Sequence, residues 1–375
     1  MKFFVPLILS IICFSAFAQS KEYYLLVGSY TKPKGNGEGI SVYRFNSSTG
    51  QTTFVSKIAS DNPSYLVISQ NEQFVYAVNE NIAQQISTAA AFSFNKKEGI
   101  LNFINKESVQ GKNPCYITVD KQNKWLFTAN YTSGNISCLP INKNGSIAPV
   151  QQLIQHNGSS IVKGRQGEAH AHTVVFSPDE KFITATDLGT DKISLYAFNS
   201  NNTSTPLTID STNDIISKAG NGPRHIAFGI KHKLLYVVNE LSGTIDVFEN
   251  KRGMPLIQTI STDTTNNLDK GSADIHLSND GKFLYVTNRG KYNTIATYTV
   301  DVASGELSLI DVQSTLGKTP RNFMIDPTDN FLLVAHQNSD NIFVFKRNKQ
   351  TGLLTYTNIE IKTGSPVCLK MIPVK

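Results

Sequence analysis

Residues 168–189 read EAHAHTVVFSPDEKFITATDLG, and their pattern recurs along the whole chain. A short apolar run (173–176) leads into the turn Ser177-Pro178-Asp179-Glu180, and a second apolar run (182–186) leads out of it, as in a β-hairpin. Laid over the rest of the sequence, the same hairpin is anchored at Pro63, Pro114, Ala171, Pro223, Ser272, Pro320 and Pro366, at spacings of 51, 57, 52, 49, 48 and 46 residues. Periods of that length belong to propeller blades or solenoids. Seven anchors predict seven blades.

Each hairpin is followed by a third segment with period-two alternation: 40–45, 88–94, 135–141, 192–198, 244–248, 294–300 and 341–345. A turn often rich in Gly and Asn comes next, then a more polar fourth segment. Apolar inner and polar outer strands suit a blade packed between two neighbours. The expected fold is all-β, a seven-bladed β-propeller with four antiparallel strands per blade. Its two chain ends complement each other. The first copy lacks its inner strand, since 23–27 aligns with the second strand of the repeat, whereas the last copy (365–374) has the inner strand alone. One blade shared between the termini would close the ring and hide strand edges.

Residues 1–20, MKFFVPLILSIICFSAFAQS, combine one Lys, an apolar run and Ala16-Phe17-Ala18, the pattern of a cleaved secretory signal. The run is shorter than the roughly 20 apolar residues that a membrane-spanning helix needs, and Ser10-Ile11-Ile12 before Cys13 does not resemble a lipoprotein cleavage box. The expected organisation is therefore a signal peptide (1–18) and a single propeller domain (19–375), periplasmic or secreted, with no membrane span after cleavage. Cys115, Cys138 and Cys368 remain in the mature chain, too few for a disulfide framework, and are expected to be buried thiols. Losing Lys2 takes the formal charge from +6 to +5. Basic residues are dispersed, without a basic run interleaved with aromatics, so nucleic acid is not an expected partner.

In a propeller the inner strand leaves one face of the ring and the second strand returns to it, so the start of one and the end of the other meet at the mouth of the central channel. One place after each anchor stand Ser64, Cys115, His172, Arg224, Ala273, Arg321 and Val367. The second strands end in Asn79-Glu80, Asn130-Tyr131, Asp187-Leu188, Asn239-Glu240, Asn288-Arg289 and His336-Gln337. An Asn or Asp ending a strand is ordinarily a turn former, and an Arg after Pro could equally tie blades together. His170 and His172 alternate along one strand, yet no third ligand at a recognisable spacing joins them, so no metal or other cofactor is expected. His276 is expected to be a satisfied core residue. Side chains at the mouth should contribute little to core packing.

At these residues the chain resembles the seven-bladed β-propeller lactonases, which include the propeller-type 6-phosphogluconolactonases and the 3-carboxy-cis,cis-muconate lactonizing enzymes. The resembling segments are Asn62-Pro63-Ser64-Tyr65-Leu66, Glu168-Ala169-His170-Ala171-His172, Asp187-Leu188-Gly189-Thr190-Asp191, Gly222-Pro223-Arg224-His225, DGKFLYVTNRG at 280–290, and Thr319-Pro320-Arg321-Asn322-Phe323. The resemblance implies a lactone hydrolase whose site looks like His172, Arg224, Glu240 and Arg289. The same columns add Arg321, Asp187 and Glu80 as candidate substrate-binding residues, and His170, which alternates with His172, joins them. Family members acting on 6-phosphogluconolactone work in the cytoplasm, so the export signal leaves the lactone itself open.

Hydrolysis needs water activated near neutral pH, a task for either His172 or Glu240. It also needs positive charge where an oxyanion develops, which Arg224 and Arg289 could supply. Guanidinium forks match phosphate and carboxylate as well, so the expected partner is a small, anionic, sugar-derived lactone. Two other classes fit the sequence: a non-catalytic exported propeller binding a sugar or peptide in its channel, and an envelope interaction scaffold. Turnover of simple sugar lactones would single out the first class, and a channel plugged by large apolar side chains the last.

Overall fold

A computed structural model describes residues 22–81, 87–209, 214–229, 233–251, 253–264 and 271–374. The expected signal peptide lies outside them. The described residues form seven antiparallel sheets arranged as blades. From the inner strand outward, six consecutive blades begin with Leu66–Ile68, Pro114–Val119, Ala171–Phe176, Pro223–Phe228, Ser272–Leu277 and Pro320–Ile325. Five of these strands start on the anchor read from the sequence; the sixth starts three residues after Pro63. The third strands, such as Lys192–Phe198 and Thr294–Val300, match the alternating segments to within two residues. In the third of these blades the outer strand is split, and both Leu207–Ile209 and Ile215–Ile216 pair with Lys192–Phe198.

Local chemistry accounts for the hairpins. Ser177 Oγ accepts the Phe182 N–H and donates to Asp179, while Glu180 takes a positive φ to complete the turn. Ser278 repeats this with Phe283 and Asp280, and at the same place in other blades Asp120 and Asp326 accept the N–H of Trp125 and Phe331. Packing then joins one blade to the next. The turn between third and fourth strands lays a glycine on an aromatic ring of the adjacent blade. At Gly145 (φ 83°) a Cβ would lie 2.2 Å from the Phe74 ring, and at Gly352 (φ 74°) it would lie 2.3 Å from Phe283. No other residue fits there. The cores are accordingly shared between blades: Tyr236 and Val238 pack with Ile275 and Leu284 from the next sheet.

The seventh blade closes the ring as the chain ends suggested. Its sheet order is Pro366–Pro373, Glu22–Ser29, Ile40–Asn46, Thr52–Ile58. Cys115, Cys138 and Cys368 are free and buried.

Candidate active site

The inner strands share one irregularity, and it builds half of the site. In six sheets the pairing with the second strand slips beside the anchor, leaving out Cys115, His172, Arg224, Ala273 with Asp274, Arg321, and Val367. A β-bulge leaves its extra residue unpaired and re-aims the side chain. The column placed at the mouth by the repeat is therefore the bulge column.

The second strands supply the other half, and their terminal pairs divide the work. The first member holds the turn. Asn79 donates to Ser60 and the Asp61 carbonyl, Asn130 to Asn135 and Ser137, Asn239 to Thr244 and Asp246, and Asn288 to the Thr262 carbonyl. Asp187 belongs to this group. It is fully buried, accepts the backbone N–H groups of His170, Gly189 and Thr190, and pairs with His156 Nδ1 at 2.8 Å. The turn thus occupies the carboxylate of Asp187, which was expected at the substrate, and Asp187 does not line the channel cavity. The second member lies one residue further on, at the channel. Glu80, Tyr131, Glu240 and Arg289 line a cavity of about 190 Å³ together with Cys115, His172 and Arg321.

Arg165 completes the lining, and sequence reasoning missed it. It lies in the 57-residue interval from Pro114 to Ala171, the longest of the repeat, and that surplus length was the available signal. Its loop is pinned by the fully buried Gln166, which donates to the Leu188 carbonyl and accepts the Val162 N–H.

Glu240 is the electrostatic hub. Its Oε1 accepts from Arg165 Nη2 (2.5 Å), and its Oε2 from Arg224 Nε (2.9 Å) and Arg289 Nη2 (2.7 Å). Burial alone would raise its pKa, yet Arg289, Arg224 and Arg165 hold the carboxyl well below the usual carboxylate range. Glu80 forms a second hub: Oε2 accepts from Tyr30 (2.7 Å) and lies 4.0 Å from Arg321 Nη2, while Oε1 pairs with Lys34. Despite burial, Arg321 and Lys34 lower its pKa. Five cations thus face two carboxylates.

Arg224 is 1% exposed and does not line the cavity. Besides Glu240, it donates through Nη1 to the Ala273 carbonyl (2.6 Å) and contacts His225 Nε2 (3.2 Å); among the described residues its Nη2 is left unengaged. Burial, then repulsion from Arg289, pulls its pKa down to about 10, so it stays protonated at neutral pH. Its deep burial corrects the expectation that every mouth residue contributes little to packing.

His172 is pushed well below 6.5 by burial, with Arg224 and His225 adding to the effect. It is therefore neutral at pH 7, and its buried Nδ1 has no hydrogen-bond partner among the described residues. The ring meets Tyr131 edge-on at 5.7 Å. His170 stacks on the same tyrosine at 4.5 Å and faces the Tyr131 carbonyl through Nδ1, supporting the cavity wall without lining it. Next along the inner strands, Tyr65 and Tyr116 stack at 4.0 Å, with His225 edge-on to both. These rings pack together beside the polar cavity, where His225 lies 5.2 Å from His172. His276 is half-exposed and bonded to Asp274 at 3.0 Å, so it is satisfied without being fully in the core. Among the described residues no three His, Cys, Asp or Glu side chains converge as metal ligands would.

With this geometry in place, similarity to known proteins becomes informative. Residues 24–371 match the family described as lactonase, 7-bladed beta-propeller. A 6-phosphogluconolactonase of Formosa agariphila is 35% identical over 92% of this chain and 99% of its own length. The 6-phosphogluconolactonase of Bacillus subtilis is 35% identical over 94% and 99% respectively. Among solved structures, the periplasmic gluconolactonase of Pseudomonas aeruginosa superposes with a TM-score of 0.90 at 35% identity, covering 94% of this chain and all of that one. The chain belongs to the seven-bladed β-propeller lactonase family.

Proposed function

We propose that this protein is an exported hydrolase that opens an anionic, sugar-derived lactone in the cavity formed around His172, Glu240 and Arg289. The observation that carries this reading is the neutral His172, whose buried Nδ1 has no partner among the described residues, set in a cage with more cations than carboxylates.

His172 is better suited than Glu240 to act as the base. Protonating Glu240 would forfeit contacts with three guanidinium groups, whereas His172 is already in its basic form. An anionic substrate would also offset the positive charges that depress its basicity. His172 takes a proton from water as the water oxygen adds to the lactone carbonyl. Arg289 supplies donors for the oxyanion, and Arg224, buried behind it against Glu240, adds positive charge. The intermediate collapses by breaking the ring C–O bond, and the imidazolium returns the proton to the departing alkoxide. The product is a hydroxy acid, whose carboxyl group then releases its proton to solvent at neutral pH. The preference for an anionic substrate rests on the excess of cations, and Arg321, with Lys34 beside it, provides a second place where its charged substituent could bind.

The test is turnover of a panel of sugar lactones, with and without a charged substituent, assayed with and without chelator. Hydrolysis insensitive to chelator and faster for charged lactones is expected; no turnover of any of them would reject the enzyme reading in favour of a binding propeller. His172→Ala should lower kcat by about 100-fold or more, the usual scale for a lost general base. Because the base form is the active one and its pKa is depressed, kcat should hold through neutral pH and fall only below 6.5. A limb that persists unchanged in His172→Ala would assign it to another group.

Export is inferred from Lys2, the apolar run and the Ala-x-Ala site, and the periplasmic neighbour in Pseudomonas supports it. Mature protein starting near Gln19 is expected outside the inner membrane. Recovery of cytoplasmic protein that still begins at Met1 would overturn this.

A further inference from the structure

Behind the cavity lies a buried chain of polar groups for which hydrolysis itself assigns no role. Arg224 Nη1 is 3.2 Å from His225 Nε2, and His225 Nδ1 is 2.8 Å from Asp274 Oδ1. A guanidinium can only donate. His225 Nε2 must therefore accept, which places the ring proton on Nδ1, from where it donates to Asp274. Asp274, itself a bulge residue, is anchored on its far side: Oδ1 also accepts the Ile275 N–H, and Oδ2 accepts from Asn322 Nδ2, the Phe323 N–H and His276 Nε2. Inner strands of three successive blades thus meet at one carboxylate.

We propose that His225 and Asp274 are positioning residues for lactone opening, setting the direction of a hydrogen-bond chain from Asn322 through Asp274, His225 and Arg224 to Glu240. Arg224 donates both ways, to Glu240 and to His225, and Asp274 accepts from His225 on one side and Asn322 on the other. If the His225 tautomer reversed, its N–H would face a guanidinium N–H, and Arg224 would swing away from Glu240, the carboxylate that also holds Arg289 at the cavity. Around the ring stand Arg224 on its own strand, Asp274 and His276 on the next, His172 on the preceding inner strand, and Tyr65 and Tyr116 from blades further round. Burial, then Arg224, pushes His225 down to about 4, so the ring remains a neutral acceptor at working pH.

This proposal rests on the hydrolytic reading of the cavity, and the experiment keeps the two separable. His225→Phe retains a ring against Tyr65, Tyr116 and His172 but removes both nitrogens. Its kcat should fall by about 10- to 100-fold, the scale seen when outer partners of a functional group are removed, with KM changed by less than about threefold. His225→Gln, which offers Arg224 an amide oxygen, should recover part of that loss. In an Arg224→Ala background, His225→Phe should add less than about a twofold effect, because residues acting through one another are not additive. Asp274→Asn should reproduce the kcat loss, and with His225→Gln it carries the test if His225→Phe folds poorly. Wild-type kcat in His225→Phe and Asp274→Asn, or a loss that multiplies fully in the Arg224→Ala background, would overturn the proposal. Wild-type turnover in Arg224→Ala alone would instead remove the cavity assignment on which it rests.

Discussion

Arg224→Ala is expected to lower kcat by a factor on the order of 100 to 1000, as for loss of one oxyanion donor, and to lower the melting temperature as well. Position in the repeat alone argued for an intact fold. Burial argues otherwise, since the side chain is 1% exposed and holds Glu240, the Ala273 carbonyl and His225 together. Truncation leaves those groups partly unpaired inside the ring, at a cost on the order of 3 kcal/mol. Arg289→Ala separates chemistry from scaffolding. That side chain is 17% exposed and is anchored through Nε to the Gly271 carbonyl, while Glu240 would keep both Arg224 and Arg165. Its kcat should fall on a similar scale with a smaller loss of stability. Arg321→Ala, from the same bulge column, should cost much less turnover, because Glu80 retains Lys34 and Tyr30. The measurement is turnover of an accepted lactone alongside thermal melting. Wild-type rates in Arg224→Ala and Glu240→Gln would rule out the site. An active Arg289→Ala, beside an Arg224→Ala that loses activity only as it unfolds, would leave the buried arginine a role in tying blades together and none in the reaction.

Deleting 365–374 is expected to give insoluble or partly unfolded protein. This strand pairs along the whole of Glu22–Ser29, from Tyr23 with Pro373 to Ser29 with Pro366. Its Val367, Cys368, Leu369 and Ile372 are all at most 1% exposed. They seal both seams: Leu369 packs with Phe331 and Leu333 of the last blade, and Cys368 and Ile372 with Tyr65 and Leu66 of the first. Main-chain bonds reinforce both contacts, from the Leu369 N–H to Asn322 Oδ1 at 2.8 Å and from the Leu66 N–H to Cys368 Sγ at 3.2 Å. Removing a single buried Leu or Ile side chain costs about 2–5 kcal/mol, and a whole domain is stable by only about 5–15 kcal/mol. Several such losses together, with a bare edge left on Glu22–Ser29, exceed what the ring can absorb. A soluble deletion variant with an unchanged melting temperature would show that the ring closes without this strand.

The blades, their number and their closure were legible in the sequence because the determinants are local and repeated. Alternation sets which face of a strand is buried, the Ser-x-Asp turns set the hairpins, and seven anchors at a near-constant period count the units. The two columns that meet at the mouth were legible for the same reason. Within them, however, the division between Asp187, which holds a turn, and Glu240, which lines the cavity, depends on a shift of one residue along a strand end. Only strand register and the surrounding backbone donors decide that. The burial of Arg224 was hidden likewise: an Arg after Pro reads the same whether it faces water or closes a network among Glu240, His225 and Ala273. Arg165 arrives from a loop whose surplus length was visible but whose path was not. By itself, then, the sequence determined a closed ring of seven four-stranded blades with charged residues gathered at one mouth. The tertiary structure alone decided which guanidinium meets which carboxylate oxygen and which histidine nitrogen stays free, since those pairings join side chains from different blades and follow from how the blades pack around the channel.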